Sequence, residues 1–424
     1  MSSLLRHPLS QNCQPTDDLR VRIRPPWSIF RESRLHFWLA SPLPRPVSVT
    51  DLPSGTTPVA GSFLGFRGEV GVLFRKQKPV VGLDIGSSAV KAVELKASGK
   101  GWKVVAFGVE PLPADTIVDG AIIDGTAVAD AIRRLFDRLG IKNKEVAASL
   151  SGNAVIVKKI TLPAMTDAEL ATSITWEAEQ YIPFDIQDVN LDYQVLSRPP
   201  KGAAGATMDV LLVAAKKETI ADYTGVIAQA GKVPAIVDVD AFALQNAYEA
   251  NYGTRDAIVA LLNIGASAIN INIVRGDQSL FTRDVPIGGN AYTEALQKDF
   301  QIAQESADLL KRGYPADGLD PTQTGPSLQM VTEAVLLEVQ KTLDFFRGTT
   351  GADHIDLLMV TGGGAQVSGL VDALQERLGY PVEFLDPFKT VSFDAAKFGV
   401  PVLSEAAASA TVAVGLALRR KGDR

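Results

Sequence analysis

Two distant stretches of this chain are written in one pattern, and that repetition narrows the choice of fold more than any other feature. Residues 80–95 are an apolar run ending in Asp84, then Gly86, the hydroxyls Ser87 and Ser88, and a second alternating run through Lys91. Residues 262–273 follow the same order, with Leu262, Ile264, Gly265, Ser267 and Ala268 falling on Leu83, Ile85, Gly86, Ser88 and Ala89. Each stretch reads as strand, tight turn, strand. A glycine turn offers bare backbone N–H groups and permits close approach of a phosphate, since no Cβ stands in the way. One such turn is an ordinary β-turn. Two that match in order and chemistry imply a pair of related domains facing one nucleotide, with Asp84 placed to hold a metal ion through water.

Composition removes several function classes. The chain has 424 residues, 46% hydrophobic and 21% charged, enough for two or more domains. Net charge is −6 with a pI near 5.3, which argues against nucleic-acid binding through a broad basic face. The single cysteine, Cys13, excludes an internal disulfide and fits the cytosol. His7, His36 and His354 are scattered, so neither a histidine-rich metal site nor a histidine-based triad is expected. No apolar run approaches the ~18 residues of a membrane span.

Taken in order, residues 1–71 differ from the rest. Arg20, Arg22, Arg24, Pro25 and Pro26 crowd together with Trp27, Phe30, Phe37 and Trp38, without a lasting period. A basic targeting segment would lack the apolar core of a secretory signal. Disorder, or a true start near Val72, is the expectation. Beyond the first hairpin, residues 102–111 read as a strand and 125–139 as a helix ended by Gly140. Residues 145–150 are then a strand. Residues 154–230 read as an insertion of strand, helix, two strands and helix, its first helix opened by the capping box Thr166–Asp167–Ala168–Glu169. A strand over 233–239 carries Asp238 and leads through Asp240 to a helix over 242–250. After the second hairpin, residues 278–286 form a strand, and 287–290 open a helix whose amides suit an anion. Residues 291–350 are mostly helical, closing on the amphipathic stretch 331–346. A strand over 354–360 runs into Gly362, Gly363 and Gly364, where backbone can lie flat against a planar group such as adenine. Residues 406–419 read as a small-residue helix packed within the protein rather than lying on a membrane.

The set Asp84–Ser88, Asp238 and Asp240 with Ala241–Phe242–Ala243, Asn263–Ser267 and Thr361–Gly364 stands in the order of the actin-like ATPase superfamily. Within it, residues 82–91, 179–184 and 413–419 resemble the PilM family of type IV pilus assembly proteins. The likeness runs from about residue 73 to 420. It implies an α/β, actin-like (ribonuclease H-like) two-lobe ATPase fold with an inserted α+β subdomain and a disordered N-terminal extension. Lobe I is expected over 72–153 and 231–253, with 154–230 as its FtsA-like insertion. Lobe II is expected over 254–290 and 351–424, with 291–350 as its helical subdomain. The resemblance also implies ATP and Mg²⁺ between the lobes. Asp84 would stand near the metal, Gly86, Ser87, Ser88 and Lys91 around the β and γ phosphates, and Gly265, Ala266 and Ser267 opposite them. Gly362, Gly363 and Gly364 would meet the adenosine. Asp238 or Asp240 would orient a water as the catalytic group; a helix-capping role is equally open to each. Lys91 also fits a solvated strand residue. The second turn usually begins with aspartate, and here Asn263 stands there, which weakens the case for hydrolysis.

The resemblance implies an ATP-binding scaffold at the cytoplasmic face of the inner membrane, at most a slow ATPase. It would bind the cytoplasmic N-terminal tail of PilN, and through it the pilus inner-membrane complex, with self-association left open. Two other functions remain on the same fold. A small-molecule kinase needs a carboxylate base and an acceptor pocket, and no acceptor motif is visible. An FtsA-like filament-forming division protein calls for a membrane-binding C-terminal helix set off by a linker, whereas the last helix here follows directly.

Overall fold

The computed structural model describes residues 79–99, 101–199, 205–352, 354–394 and 406–421; the expectations for residues 1–71 lie outside them. The first hairpin forms as strands β1 (Val81–Ile85) and β2 (Ala89–Ser98), extended antiparallel by β3 (Gly101–Pro111). A small hairpin, β4 (Ile117–Val118) with β5 (Ala121–Ile122), leads to helix α1 (Gly125–Leu139). Helix α1 buries Val128, Ile132, Leu135 and Phe136 along one stripe and stops at Gly140, whose φ of 65° is left-handed. Strands β6 (Glu145–Leu150) and β10 (Val233–Val239) then add parallel to β1. The sheet order is β10-β6-β1-β2-β3.

The second half repeats that plan. Strands β11 (Ile258–Ile264), β12 (Ile269–Arg275) and β13 (Gln278–Val285) form an antiparallel meander, and β14 (Leu357–Thr361) and β15 (Val382–Phe384) add parallel to β11. The order β13-β12-β11-β14-β15 is the order of the first sheet. Helix α4 (Asp240–Tyr252) links the halves and packs on β10, β11 and β12. The architecture is the actin-like, two-lobe α/β fold. Over lobe II lie α5 (Gly289–Phe300), α6 (Gln304–Leu310), the 26-residue α7 (Gly325–Thr350) and α8 (Leu370–Leu378).

Between β6 and β10 the insertion is a three-stranded antiparallel sheet of β7 (Val155–Pro163), β8 (Val189–Ser197) and β9 (Thr207–Lys216), ordered β7-β9-β8. Helix α2 (Asp167–Glu179) covers one face, with Leu170, Ile174 and Ala178 against Ile160, Val210 and Leu212. Its capping box forms as the sequence predicts, Thr166 and Glu169 each satisfying the other's backbone N–H. The other face of β9, through Leu211, Val213 and Ala215, joins the core of lobe I. Helix α3 (Lys217–Gln229) belongs with lobe I as well: Ile220, Tyr223, Val226 and Ile227 pack in the same core as α1. The insertion proper therefore ends at β9, because the apolar face of α3 points at α1 rather than at α2.

The C-terminal segment also departs from the expected boundary. Helix α9 (Thr411–Ala417) is buried throughout and packs on α4, β1, β2 and β6, all in lobe I. Its small residues are a requirement of that seat. A Cβ on Gly415 would lie 1.8 Å from the Ala243 carbonyl oxygen, and one on Gly82 of β1 would lie 2.0 Å from that of Ala413. Phe388 and Val391 share the same lobe I cluster, and Ser392 N donates to Trp102 O. The stretch expected to close lobe II thus returns to lobe I after β15. Among the described residues no helix is long and apolar enough to cross a membrane.

Candidate functional site

The two glycine turns close in the same way. Gly86 N donates to Ala89 O at 3.1 Å and Gly265 N to Ala268 O at 2.9 Å, leaving residues 87–88 and 266–267 as partly exposed tips. The registers match too. Asp84 faces Lys91 across β1 and β2, and Asn263 faces Asn270 across β11 and β12. In lobe I this pair is ionic, with Lys91 Nζ 3.0 Å from Asp84 Oδ2. Lys91 is therefore a partner of the candidate metal ligand rather than a solvated residue. In lobe II the pair is amide to amide, Asn263 Nδ2 donating to Asn270 Oδ1 at 2.9 Å.

The second turn is packed backbone to backbone with its neighbours. Gly289 N donates to Gly265 O at 2.9 Å and Asn290 N to Ala266 O at 2.8 Å, seating the N-terminus of α5 on the turn. Gly362 has a φ of 91°, and a Cβ there would lie 2.2 Å from Ile264 O and 2.7 Å from Asn263 Oδ1. Gly364 is equally tight, 2.7 Å from Ile264 Cγ2 and 2.9 Å from Gly265 O. Gly363 meets no such wall and is exposed. Two of the three consecutive glycines thus serve the approach of two loops, and the middle one is left facing outward.

Carboxylates join the lobes. Asp240, the first residue of α4, accepts a short hydrogen bond from Ser149 Oγ at the end of β6. Desolvation first, then the charge of Asp84 and more weakly that of Asp284, pushes the Asp240 carboxyl up to about 7. Asp284, on β13 of lobe II, accepts from Gly152 N just after β6 in lobe I and from Asn270 Nδ2 at 2.8 Å. Burial raises its carboxyl as well, against those two hydrogen bonds. The result is one chain of hydrogen bonds from Asn263 through Asn270 and Asp284 to Gly152. It runs from the strand before the second turn to the root of the inserted sheet. An amide suits position 263, because it donates to Asn270 and adds no negative charge beside Asp284. Tyr223 borders this group, its hydroxyl donating to Gly120 O at 3.0 Å, and burial with the Asp240 and Asp84 charges raises its phenol.

Asp238 does not join them. Its side chain is fully buried, and Oδ2 lies 3.2 Å from Nη1 of Arg419, itself 2% exposed. Strand β10 ends at Val239, and the turn into α4 carries Asp240 to Ser149 while Asp238 stays in the interior. Neither aspartate caps α4, whose N-cap is Val239. Among the described residues no three His, Cys, Asp or Glu side chains converge as a preformed metal cage. Ser149, Gly152, Asn270 and Asp284 are the residues sequence reasoning missed. The available signal was the repeat itself, which lays Asn270 over Lys91 and so marks it as the partner of position 263.

Residues 82–421 match the family described as type IV pilus assembly protein PilM. The chain belongs to that family. A solved PilM–PilN type IV pilus biogenesis complex contains a chain similar to this one, with 30% identity and a TM-score of 0.72, covering 81% of this chain and 98% of that one. Cell division protein FtsA of Streptococcus pneumoniae serotype 2 (strain D39 / NCTC 7466) is 24% identical over 347 residues, 72% of this chain and 75% of that protein. FtsA of Enterococcus hirae is 24% identical over 349 residues, 72% and 78% of the two chains. PilM membership and the repeated sheets agree on the fold; the FtsA likeness is weaker in identity and coverage.

Proposed function

We propose that the protein is an ATP-binding scaffold of type IV pilus assembly at the cytoplasmic face of the inner membrane. It holds the cytoplasmic N-terminal tail of PilN and alters that contact with nucleotide state. The observation that carries the reading is the equivalence of residues 86–88 and 265–267 in two copies of one sheet, linked across the lobes by Asp284. The family and the likeness to the PilM–PilN complex supply the partner.

The residues fit Mg²⁺-ATP. Backbone amides of both turns suit the phosphates, and the exposed Gly363 suits the adenosine. Mg²⁺ keeps several waters and takes one or two carboxylates, so Asp84, with Asp240 beyond it, can hold the cation through water without a preformed cage. Lys91 would then divide its charge between Asp84 and a phosphate. Asp240, with its raised carboxyl, is the candidate to accept a proton from water, and Asp238 drops out of that role. A single candidate base with neutral Asn263 opposite points to holding the nucleotide with slow turnover. The Asp284–Gly152 link gives coupling a route, since Gly152 precedes β7 of the inserted sheet. Helix α9 is buried against lobe I and so does not itself serve as an FtsA-like membrane foot.

The test has two parts. Mg²⁺-ATP should raise the melting temperature of the full chain and fail to do so for Asp84→Ala; equal stabilisation of the variant contradicts the site. A labelled peptide of the PilN tail should bind the full chain and protect amides between residues 155 and 216. Protection confined to lobe II would move the partner site elsewhere.

A further inference from the structure

Helix α7 is apolar on two sides. Its inner face, Val331, Val335, Leu336, Val339, Leu343 and Phe346, fills the core of lobe II. Its outer face carries Met330 at 65%, Leu337 at 48% and Phe345 at 55% exposure. Spacings of seven and eight residues put these three on one stripe, with exposed Ala334 and Lys341 between them. A surface helix ordinarily puts polar residues there, and large apolar side chains repeated along one stripe mark a contact surface. Among the described residues only Phe281, whose ring centroid lies 5.8 Å from that of Phe345, borders it, and all three side chains stay exposed.

We propose that this stripe pairs with the same stripe of a second copy, two α7 helices crossing antiparallel about Leu337. Charge and position select that occupant. Leu337 stands at the middle of the helix, so a two-fold axis there overlaps the two helices along their whole length. Antiparallel pairing about Leu337 sets Glu333 of each copy opposite Lys341 of the other, and Met330 beside Phe345. Glu333 is exposed and forms no ion pair among the described residues, while Lys341 reaches only Glu338 of its own helix, at 2.7 Å. A parallel pair would instead set Lys341 against Lys341. From Met330 to Phe345 the stripe is about 22 Å long. That is small for a stable interface, so the dimer is weak in dilute solution and gains where copies are concentrated together.

Sedimentation velocity of the full chain over a concentration series tests this. A monomer–dimer equilibrium is expected, and Leu337→Asp should abolish it. Glu333→Lys and Lys341→Glu should each weaken it roughly tenfold, since two symmetry-related attractions become repulsions. The double variant Glu333→Lys/Lys341→Glu should restore it. In a Cys13→Ser background, Leu337→Cys should form a covalent dimer under mild oxidation. A monomer at every concentration, a dimer indifferent to Leu337→Asp, failure of the charge swap to restore pairing, or no covalent dimer from Leu337→Cys would each overturn the assignment.

Discussion

Replacing Asp240 by asparagine should make the protein more stable at alkaline pH and change little at acid pH. The carboxyl is held at about 7 against an ordinary 3.8, first by desolvation and then by the Asp84 charge. The folded protein thus binds this proton more tightly than the unfolded chain does. Its contribution to stability is present below about pH 4 and is lost as pH rises through about 7. At ~1.4 kcal/mol per pH unit, the rise sets a ceiling of about 4 kcal/mol on what an ionised Asp240 costs the fold. The side chain is half-buried, within reach of water, and interacts with Asp84, which reduces the expectation to roughly 1–3 kcal/mol. Asparagine keeps the shape, carries no charge and can still pair with Ser149. The stability gap between Asp240→Asn and the parent, by urea unfolding without nucleotide, should therefore widen by about 1–2 kcal/mol between pH 4 and pH 8. A gap of the same size at both values, or a variant less stable than the parent at pH 8, would refute the placement of this carboxylate. Such a cost belongs at a binding site, where a cation or a proton relieves it.

Three further outcomes follow from the same geometry. Asp238→Asn removes the carboxylate charge beside the buried Arg419 guanidinium and should lower stability by about 3 kcal/mol, while Asp238→Leu with Arg419→Met should lose less, both read by urea unfolding. Gly415→Ala places a methyl against the Ala243 carbonyl and should cost about 3 kcal/mol, with α9 exchanging its amides faster. Asp284→Ala should leave Mg²⁺-ATP binding intact but remove the effect of nucleotide on PilN-peptide affinity, measured by anisotropy with and without ATP; an unchanged effect would move the coupling to another path.

Legibility in the sequence followed the strength of local signals. The two hairpins stand out because alternation brackets a glycine that must bend the chain, and α1 and α2 because Gly140 and the Thr166–Glu169 box punctuate them. Strands β4, β5 and β15, of two or three residues, are too short to show a period. The return of α9 to lobe I was hidden for a different reason. Its glycine and alanines show that something lies close, and only the fold shows that it is β1 and Ala243. Asp238 and Asp240 look alike in sequence and part only because the strand ends between them. Asp284 sits on an ordinary alternating strand, where nothing in its own stretch marks it, and its bond to Gly152 is a product of lobe packing.

Hydrogen exchange of the full chain with and without Mg²⁺-ATP tests the central claim most directly. If one triphosphate lies between the lobes, the amides of residues 86–88 and 265–267 gain protection together, at the same nucleotide concentration. Protection of one turn without the other, or of neither at saturating nucleotide, would contradict it.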